Sequence, residues 1–239
     1  IPYYVKEKRE LDPGLIDRQI VHYGNYDPFH EFLIQFSAEN IPPMGYETFY
    51  IKYNTGNEGL KEIAEEKAFI ENKYYKITVN SNGTINLSDK RLMKEYRELL
   101  IAEDGSDDGD EYDYSPLKDD FIITNKDVTA EIKFEHTPFA ETAYVSYEMD
   151  IPKDLESRKN KIKDSKMRIS TEIKLRKNSD KVEIKTEIDN NSKDHRVRFI
   201  MPTGYKSTES VSDNQFGTIK RPVIDTANEV WEAEKWKEK

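Results

Sequence analysis

Alternation of apolar and polar residues with a period of two recurs through the second half of this chain, and it rules out most architectures at once. Ile132 and Phe134; Val145, Tyr147 and Met149; Ile169, Thr171, Ile173 and Leu175; Val182, Ile184, Thr186 and Ile188; and Val197, Phe199 and Met201 each fall on one side of an extended segment, with charged residues on the other. Strands patterned in this way bury one face and wet the other, as antiparallel sheets of a sandwich do. Lys177-Asn178-Ser179-Asp180 joins two of these runs as a hairpin, and residues 189–194 lead to the next, which predicts a three-stranded meander over residues 168–201. There is no βαβ rhythm, no glycine-rich phosphate loop and no repeat of fixed period, so nucleotide-binding folds and solenoids are disfavoured. The fold class is mainly β.

The first half supports the same class. Tyr75, Ile77 and Val79 share a face, Asn80-Ser81-Asn82-Gly83 supplies a hairpin turn, and Ile85 and Leu87 return. Residues 90–100 place Leu92, Tyr96 and Leu99 at helical spacing and predict a short helix. Further upstream, Phe32, Ile34 and Phe36, the turn Pro42-Pro43-Met44-Gly45, and a strand with Phe49, Ile51 and Tyr53 on one face make a small β unit. The charged stretch 58–67 marks a boundary, giving a small β module with its linker over residues 1–66 and a large β-sandwich domain over 67–239. The chain opens on Ile1 rather than methionine, and its last ten residues hold Trp231 and Trp236 among charges without a capping signal or final strand. Both ends read as cuts, so the expectation is a piece of something longer, truncated at its C-terminus.

With 239 residues there is room for a sizeable core, but only 36% of the chain is hydrophobic, 35% is charged and the net charge is -10, which disfavours nucleic-acid binding by phosphate neutralisation. The basic run 158–166 is interleaved with Asp164 and lacks an aromatic partner, so it reads as an exposed loop or short helix. No apolar run is long enough to span a bilayer and no secretory n-region and h-region opens the chain. Cysteine is absent, which removes disulfides, thiolate metal sites and cysteine nucleophiles and suits a reducing cytoplasm. The expected setting is cytoplasmic, with neither nucleic acid nor membrane as a partner.

Chemistry concentrates in residues 102–116, where carboxylates, glycines and tyrosines crowd together. Asp104, Asp107, Asp108, Asp110, Glu111 and Asp113 repel one another and cannot be buried unless each finds donors, which predicts a loop open to water or facing something polar. Gly105 and Gly109 are expected to turn that loop with positive φ, and Pro116 to close it. Tyr112 and Tyr114, two apart, fall on the same side of an extended segment. The loop reads either as a solvated acidic turn with no ligand or as a carbohydrate surface, in which acids accept sugar hydroxyls beside rings that stack on sugar faces. A calcium site of the EF-hand type fails: counting from Asp104, the twelfth position is Ser115 where a bidentate glutamate is needed. Hydrolysis by paired carboxylates requires two acids held accurately across a sugar, which one flexible loop seldom achieves. The four histidines, His22, His30, His136 and His195, are scattered and write no zinc centre, so each reads as a surface or packing residue; no Gly-x-Ser-x-Gly elbow occurs.

Several of these stretches resemble one family. Glu71-Asn72-Lys73-Tyr74-Tyr75-Lys76-Ile77-Thr78-Val79, followed by Asn82-Gly83-Thr84-Ile85, is similar to the entry of the large β-domain of glycoside hydrolase family 38, the zinc-dependent retaining α-mannosidases. The stretch from Asp104-Gly105-Ser106 through Asp107-Asp108-Gly109-Asp110-Glu111-Tyr112 to Asp113-Tyr114-Ser115-Pro116 resembles the acidic loop of the bacterial branch that includes mannosylglycerate hydrolases. His195-Arg196-Val197-Arg198-Phe199, Pro202-Thr203-Gly204, Gln215-Phe216-Gly217 and Arg221-Pro222 are similar to later strands of the same domain, so the likeness covers about residues 42–222.

The resemblance implies an antiparallel β-supersandwich of the galactose-mutarotase-like kind preceded by a small β module. It implies a parent enzyme that cleaves terminal α-mannosidic bonds with retention. In that family the zinc ligands, the aspartate nucleophile and the acid lie in an N-terminal α/β domain marked by Gly-His-x-His-x-Asp, a segment that does not occur here. The expectation is therefore a fragment without catalytic residues or a metal of its own, inactive alone, with zinc or another divalent metal in the full-length enzyme. Its partners would be a mannose-containing saccharide and the N-terminal catalytic domain of the same chain. Tyr112 is the foremost candidate for reaching the sugar, with Asp108, Asp110, Glu111 and Tyr114 as neighbours. The competing expectation is an independent carbohydrate-binding β-sandwich module, and a structural or interaction role stands third.

Overall fold

The computed structural model describes residues 1–11, 29–39, 41–51, 59–60, 67–110, 112 and 114–224. Among the described residues, fifteen strands are connected almost entirely in antiparallel fashion, with one short helix, α1 (Leu155–Lys159), and one 3-10 turn (Asn125–Asp127). The first four-stranded sheet comprises β3 (Ile70–Glu71), β4 (Tyr75–Val79), β5 (Ile85–Asp89) and β6 (Lys94–Leu99) in sequential order. The second runs β12 (Val182–Asp189), β11 (Ser165–Arg176), β10 (Ala140–Ile151) and β9 (Glu131–His136). A three-stranded sheet holds β7 (Ile101–Ser106) between β13 (His195–Ile200) and β8 (Ile123–Thr124). Two further sheets have two strands each: β1 (Tyr3–Leu11) with β2 (Phe29–Phe36), and β14 (Glu209–Asn214) with β15 (Gly217–Pro222).

Alternation translates directly into burial. Along β11, Met167, Ile169, Ile173 and Leu175 have no exposure, while Lys166, Arg168 and Arg176 between and beside them are exposed. These residues join Ile70, Ile77 and Ile85 of the first sheet, Leu99, Ala102 and Ile123, and Val145, Tyr147 and Met149 of β10 in one hydrophobic cluster. The architecture is mainly β, with antiparallel sheets stacked around a shared core. The hairpin β1–β2 touches the second sheet at its edge, where Lys6 Nζ lies 2.8 Å from Glu135 and Thr137 Oγ1 donates to Gln35 at 2.9 Å.

The turn between β4 and β5 forms as its sequence predicts. Gly83 has φ 83°, and its amide donates to the Asn80 carbonyl at 2.9 Å. A side chain there would also collide with the core, since an added Cβ would lie 2.7 Å from Cε1 of Tyr147. Asn125 locks the turn to its neighbours by donating to the Asn82 carbonyl at 3.1 Å and accepting from the Ala102 amide at 3.1 Å.

Three expectations are corrected. Residues 90–100 are not helical: Asp89 accepts from the amides of Arg91 and Leu92 in a tight turn, and the chain returns as β6 paired with β5. Of the three residues at helical spacing only Leu99 is buried, and Leu92 is 61% exposed, so a helical stripe has nothing to pack against. The three-stranded meander breaks after its second strand, because β13 crosses to pair with β7 instead of β12. Phe49, Tyr50 and Ile51 are not in a strand; Phe49 sets its ring edge against Phe36, 5.5 Å between centroids, while Ile51 is 94% exposed. Tyr53 and most of the charged stretch 58–67 lie outside the described residues.

Candidate functional site

The acidic stretch divides into a buried root and an exposed loop. Its root is β7, whose residues Ala102, Asp104 and Ser106 share one face and have no exposure at all. The expectation that Asp104 lies in a water-facing loop is thus overturned, and the reason is the condition attached to burial: Asp104 has found donors. One carboxylate oxygen is bound by Arg158 Nη2, and the other lies 2.5 Å from His195 Nδ1. The Arg158 side chain is 1% exposed and that of His195 3%.

Each partner is delivered by its own element. Asp154 caps α1 by accepting from the Ser157 amide at 2.9 Å, and Ser157 Oγ donates to Asp164 at 2.9 Å. This fixes a helix too short to be stable by itself and turns Arg158 inward. The basic run is therefore not wholly exposed, since its first residue is among the most buried in the molecule. His195 opens β13, opposite Ser106, and its Nε2 lies 2.9 Å from Asn190 Oδ1. It is a member of a buried polar network and not a surface or simple packing residue.

Arg158 also reaches the chain on the far side of the loop. Its Nη1 donates to the Phe121 carbonyl at 2.7 Å and lies 3.4 Å from the Asp104 carbonyl. Asp120, next to Phe121, accepts from the Ser106 amide at 2.8 Å through Oδ2, and its Oδ1 lies 3.9 Å from Arg158 Nη1. One guanidinium thus holds the strand that enters the loop and the segment that leaves it.

The neck is closed by backbone. Asp107 N donates to the Asp194 carbonyl at 3.0 Å, Asp108 N to the Ser115 carbonyl at 2.7 Å, and Leu117 N to Ser106 Oγ at 2.7 Å. Asp107 Oδ1 accepts from the amides of Gly109 and Ser115, each at 3.1 Å. Neither Gly105 nor Gly109 has the positive φ expected of it. Gly105 serves closeness instead: an added Cβ would lie 3.1 Å from both Asp120 Oδ2 and Ile122 Cδ1.

Beyond the neck, Asp108 and Asp110 are exposed, and Asp110 Oδ1 accepts from the Tyr112 amide at 2.9 Å. Tyr112 is 86% exposed. Tyr114, expected on the same side, is in a different environment: it is half-buried with the Arg196 guanidinium 4.2 Å from its ring centre. Glu111 and Asp113 lie outside the described residues. The structure therefore brings Asp108, Asp110 and Tyr112 to an open surface and sets Tyr114 into the base. Asp104, Arg158 and His195 were missed as a group because three distant segments supply them; the one local signal was that Asp104 and Ser106 share a face with Ala102.

Among the described residues no three histidine, aspartate or glutamate side chains are grouped to hold a metal ion. Among the same residues no helix is long and apolar enough to cross a membrane.

Comparison with known proteins sets this geometry in context. A protein of Halalkalibacterium halodurans, provisionally named a mannosylglycerate hydrolase, is 25% identical over 223 residues, covering 84% of this chain and 25% of its own length. The crystal structure of a glycosyl hydrolase family 38 protein from Enterococcus faecalis superposes with a TM-score of 0.71 at 20% identity, covering 93% of this chain and 28% of that one. An alpha-mannosidase structure from Enterococcus faecalis also gives 0.71, at 21% identity over 95% of this chain and 28% of that one. At these identities the two structures establish a common fold, and the chain spans about a quarter of the length of these relatives. The glycosyl hydrolases family 38 C-terminal domain matches residues 70–239, from β3 onward, and with most of its length accounted for in this way the chain belongs to that family.

Proposed function

We propose that this chain is the β-domain part of a glycoside hydrolase that cleaves terminal α-mannosidic bonds with retention, and that its acidic loop forms one wall of the sugar pocket. The small module over residues 1–66 and the large domain over 67–239 would both belong to that β part. The observation that carries the reading is Tyr112, 86% exposed on a loop whose neck is tied by backbone and whose root is fixed by a buried ion pair. An aromatic ring this open has little to do for the fold, and its position on a loop with a fixed root supports a role in meeting a ligand.

The chemistry suits a mannoside. Asp108 and Asp110 present acceptors for sugar hydroxyls, and Tyr112 presents a ring and a phenol. Carboxylates near the ring favour the positive charge that develops as the glycosidic bond breaks. The nucleophile, and the zinc or other divalent metal that would hold ring hydroxyls, belong in this reading to a companion catalytic domain. The names of the relatives, an alpha-mannosidase and a mannosylglycerate hydrolase, support mannose as the glycone. The lack of cysteine suits a cytoplasmic setting.

The test is turnover by the full-length enzyme. Tyr112→Phe and Asp110→Asn are each expected to lower kcat about tenfold to a hundredfold on an α-mannoside. Unchanged turnover in both would remove the loop from the pocket. Calorimetry of this chain alone with mannose is expected to show little heat, whereas appreciable binding would favour an independent carbohydrate-binding module.

A further inference from the structure

We infer that Arg158 is a positioning residue for the sugar-binding loop, clamping its two ends so that Tyr112 is presented in one orientation; this rests on the reading of the loop as a pocket wall. The guanidinium comes from outside the loop and touches both of its sides. Through Nη2 it binds the Asp104 carboxylate on the entering strand, and through Nη1 it donates to the Phe121 carbonyl on the departing segment. The planar fork makes this possible, because its donors diverge at a fixed angle and two acceptors on different segments are met at once.

The remaining contacts of the root lock the same arrangement. His195 holds the second oxygen of Asp104, so the carboxylate cannot rotate away from the guanidinium. Asp120 joins the departing segment back to the entering strand at the Ser106 amide. His195 and Asp194 are adjacent, and Asp194 accepts from the Asp107 amide at the first residue beyond β7. A shift of Arg158 is therefore passed to residue 107 by two routes, through Asp104 along β7 and through His195 to Asp194. None of these groups reaches the exposed tip, so any effect on sugar chemistry passes through the loop.

Lysine at this position keeps the charge but supplies one ammonium, which cannot reproduce the fork. In the full-length enzyme, Arg158→Lys is expected to lower kcat about tenfold or more on an α-mannoside, since small displacements of a contacting group are costly in rate. The decisive comparison is the same substitution in a Tyr112→Phe background. If Arg158 acts by placing Tyr112, its effect there shrinks to about twofold or less, because the two changes remove one interaction. Equal effects in both backgrounds would overturn the inference and leave Arg158 a residue of the fold alone. His195→Asn, which loosens Asp104 while leaving the guanidinium in place, is carried in parallel in case Arg158→Lys does not fold, and the same non-additivity with Tyr112→Phe is required of it. A loss of the parent reading appears differently, as a Tyr112→Phe enzyme with normal turnover.

Hydrogen exchange gives a readout independent of activity. In the Arg158→Lys enzyme, the amides of Asp108 and Ser115 are expected to exchange faster while those of Val145 and Ile169 are unchanged. Uniform acceleration through the domain, or none at the neck, would contradict a clamp.

Discussion

A carboxylate with no exposure, such as Asp104, is stable only while its donors stay in place. Replacing Arg158 by Met would leave that charge with His195 alone, and the expected loss is about 3–5 kcal/mol, read from urea denaturation. An unfolding midpoint equal to that of the parent would mean the pair contributes nothing net. The double change Asp104→Asn with Arg158→Met should cost less than the sum of the single changes, since the second removes a group already stranded by the first. At Tyr147 burial acts on a proton: desolvation of the phenolate pushes the phenol up to about 12 from its ordinary value of 10.0. The sign follows from linkage. A raised pKa in the folded state means the stabilisation is complete below pH 10 and disappears as pH climbs from 10 to 12, an amount of about 2–3 kcal/mol. Tyr147→Phe is expected to flatten that alkaline limb in unfolding curves recorded across the interval.

Elements with one wet face were legible in the sequence, and the reason is visible in β11, where Ile169 and Ile173 alternate with exposed or half-exposed partners. The turn at Gly83 was equally readable, because Asn82-Gly83 encodes a local conformation and needs no distant partner. What escaped was set by pairing between remote segments. Leu92, Tyr96 and Leu99 satisfy a helical spacing, yet β5 supplies a strand edge that makes the extended form better. Nothing near residue 195 announces that β13 will leave β12 for β7, and the same blindness hid the network around Asp104, while the exposure of Asp108, Asp110 and Tyr112 was legible because charge and glycine are local signals. Gly83 also yields a prediction for its hairpin: Gly83→Ala combines positive φ with a Cβ 2.7 Å from the Tyr147 ring, and a loss of about 2–4 kcal/mol is expected in thermal unfolding. An alanine variant as stable as the parent would show that the turn and the ring can separate freely.

At the scale of the molecule, the two four-stranded sheets and the three-stranded sheet share a core, while two-stranded ribbons flank them with little burial. Every residue of β14 is exposed, and β15 has only Ile219 half-buried. A two-stranded ribbon without packing is marginal in water. The amides of β14 and β15 are therefore expected to exchange far faster than those of β10 and β11, measured on this chain by hydrogen exchange. Comparable protection would mean that the ribbon is held by contacts beyond its own ladder.

The fastening of the loop from inside has a consequence for how such a domain can diversify. Because Arg158, Asp104 and Phe121 secure the stem beneath the surface, the exposed Asp108, Asp110 and Tyr112 carry no duty to the core. On the proposed reading of the loop as a pocket wall, substitutions at the tip would retune which sugar is accepted without eroding the scaffold, so selectivity and durability would become separately heritable traits of one chain.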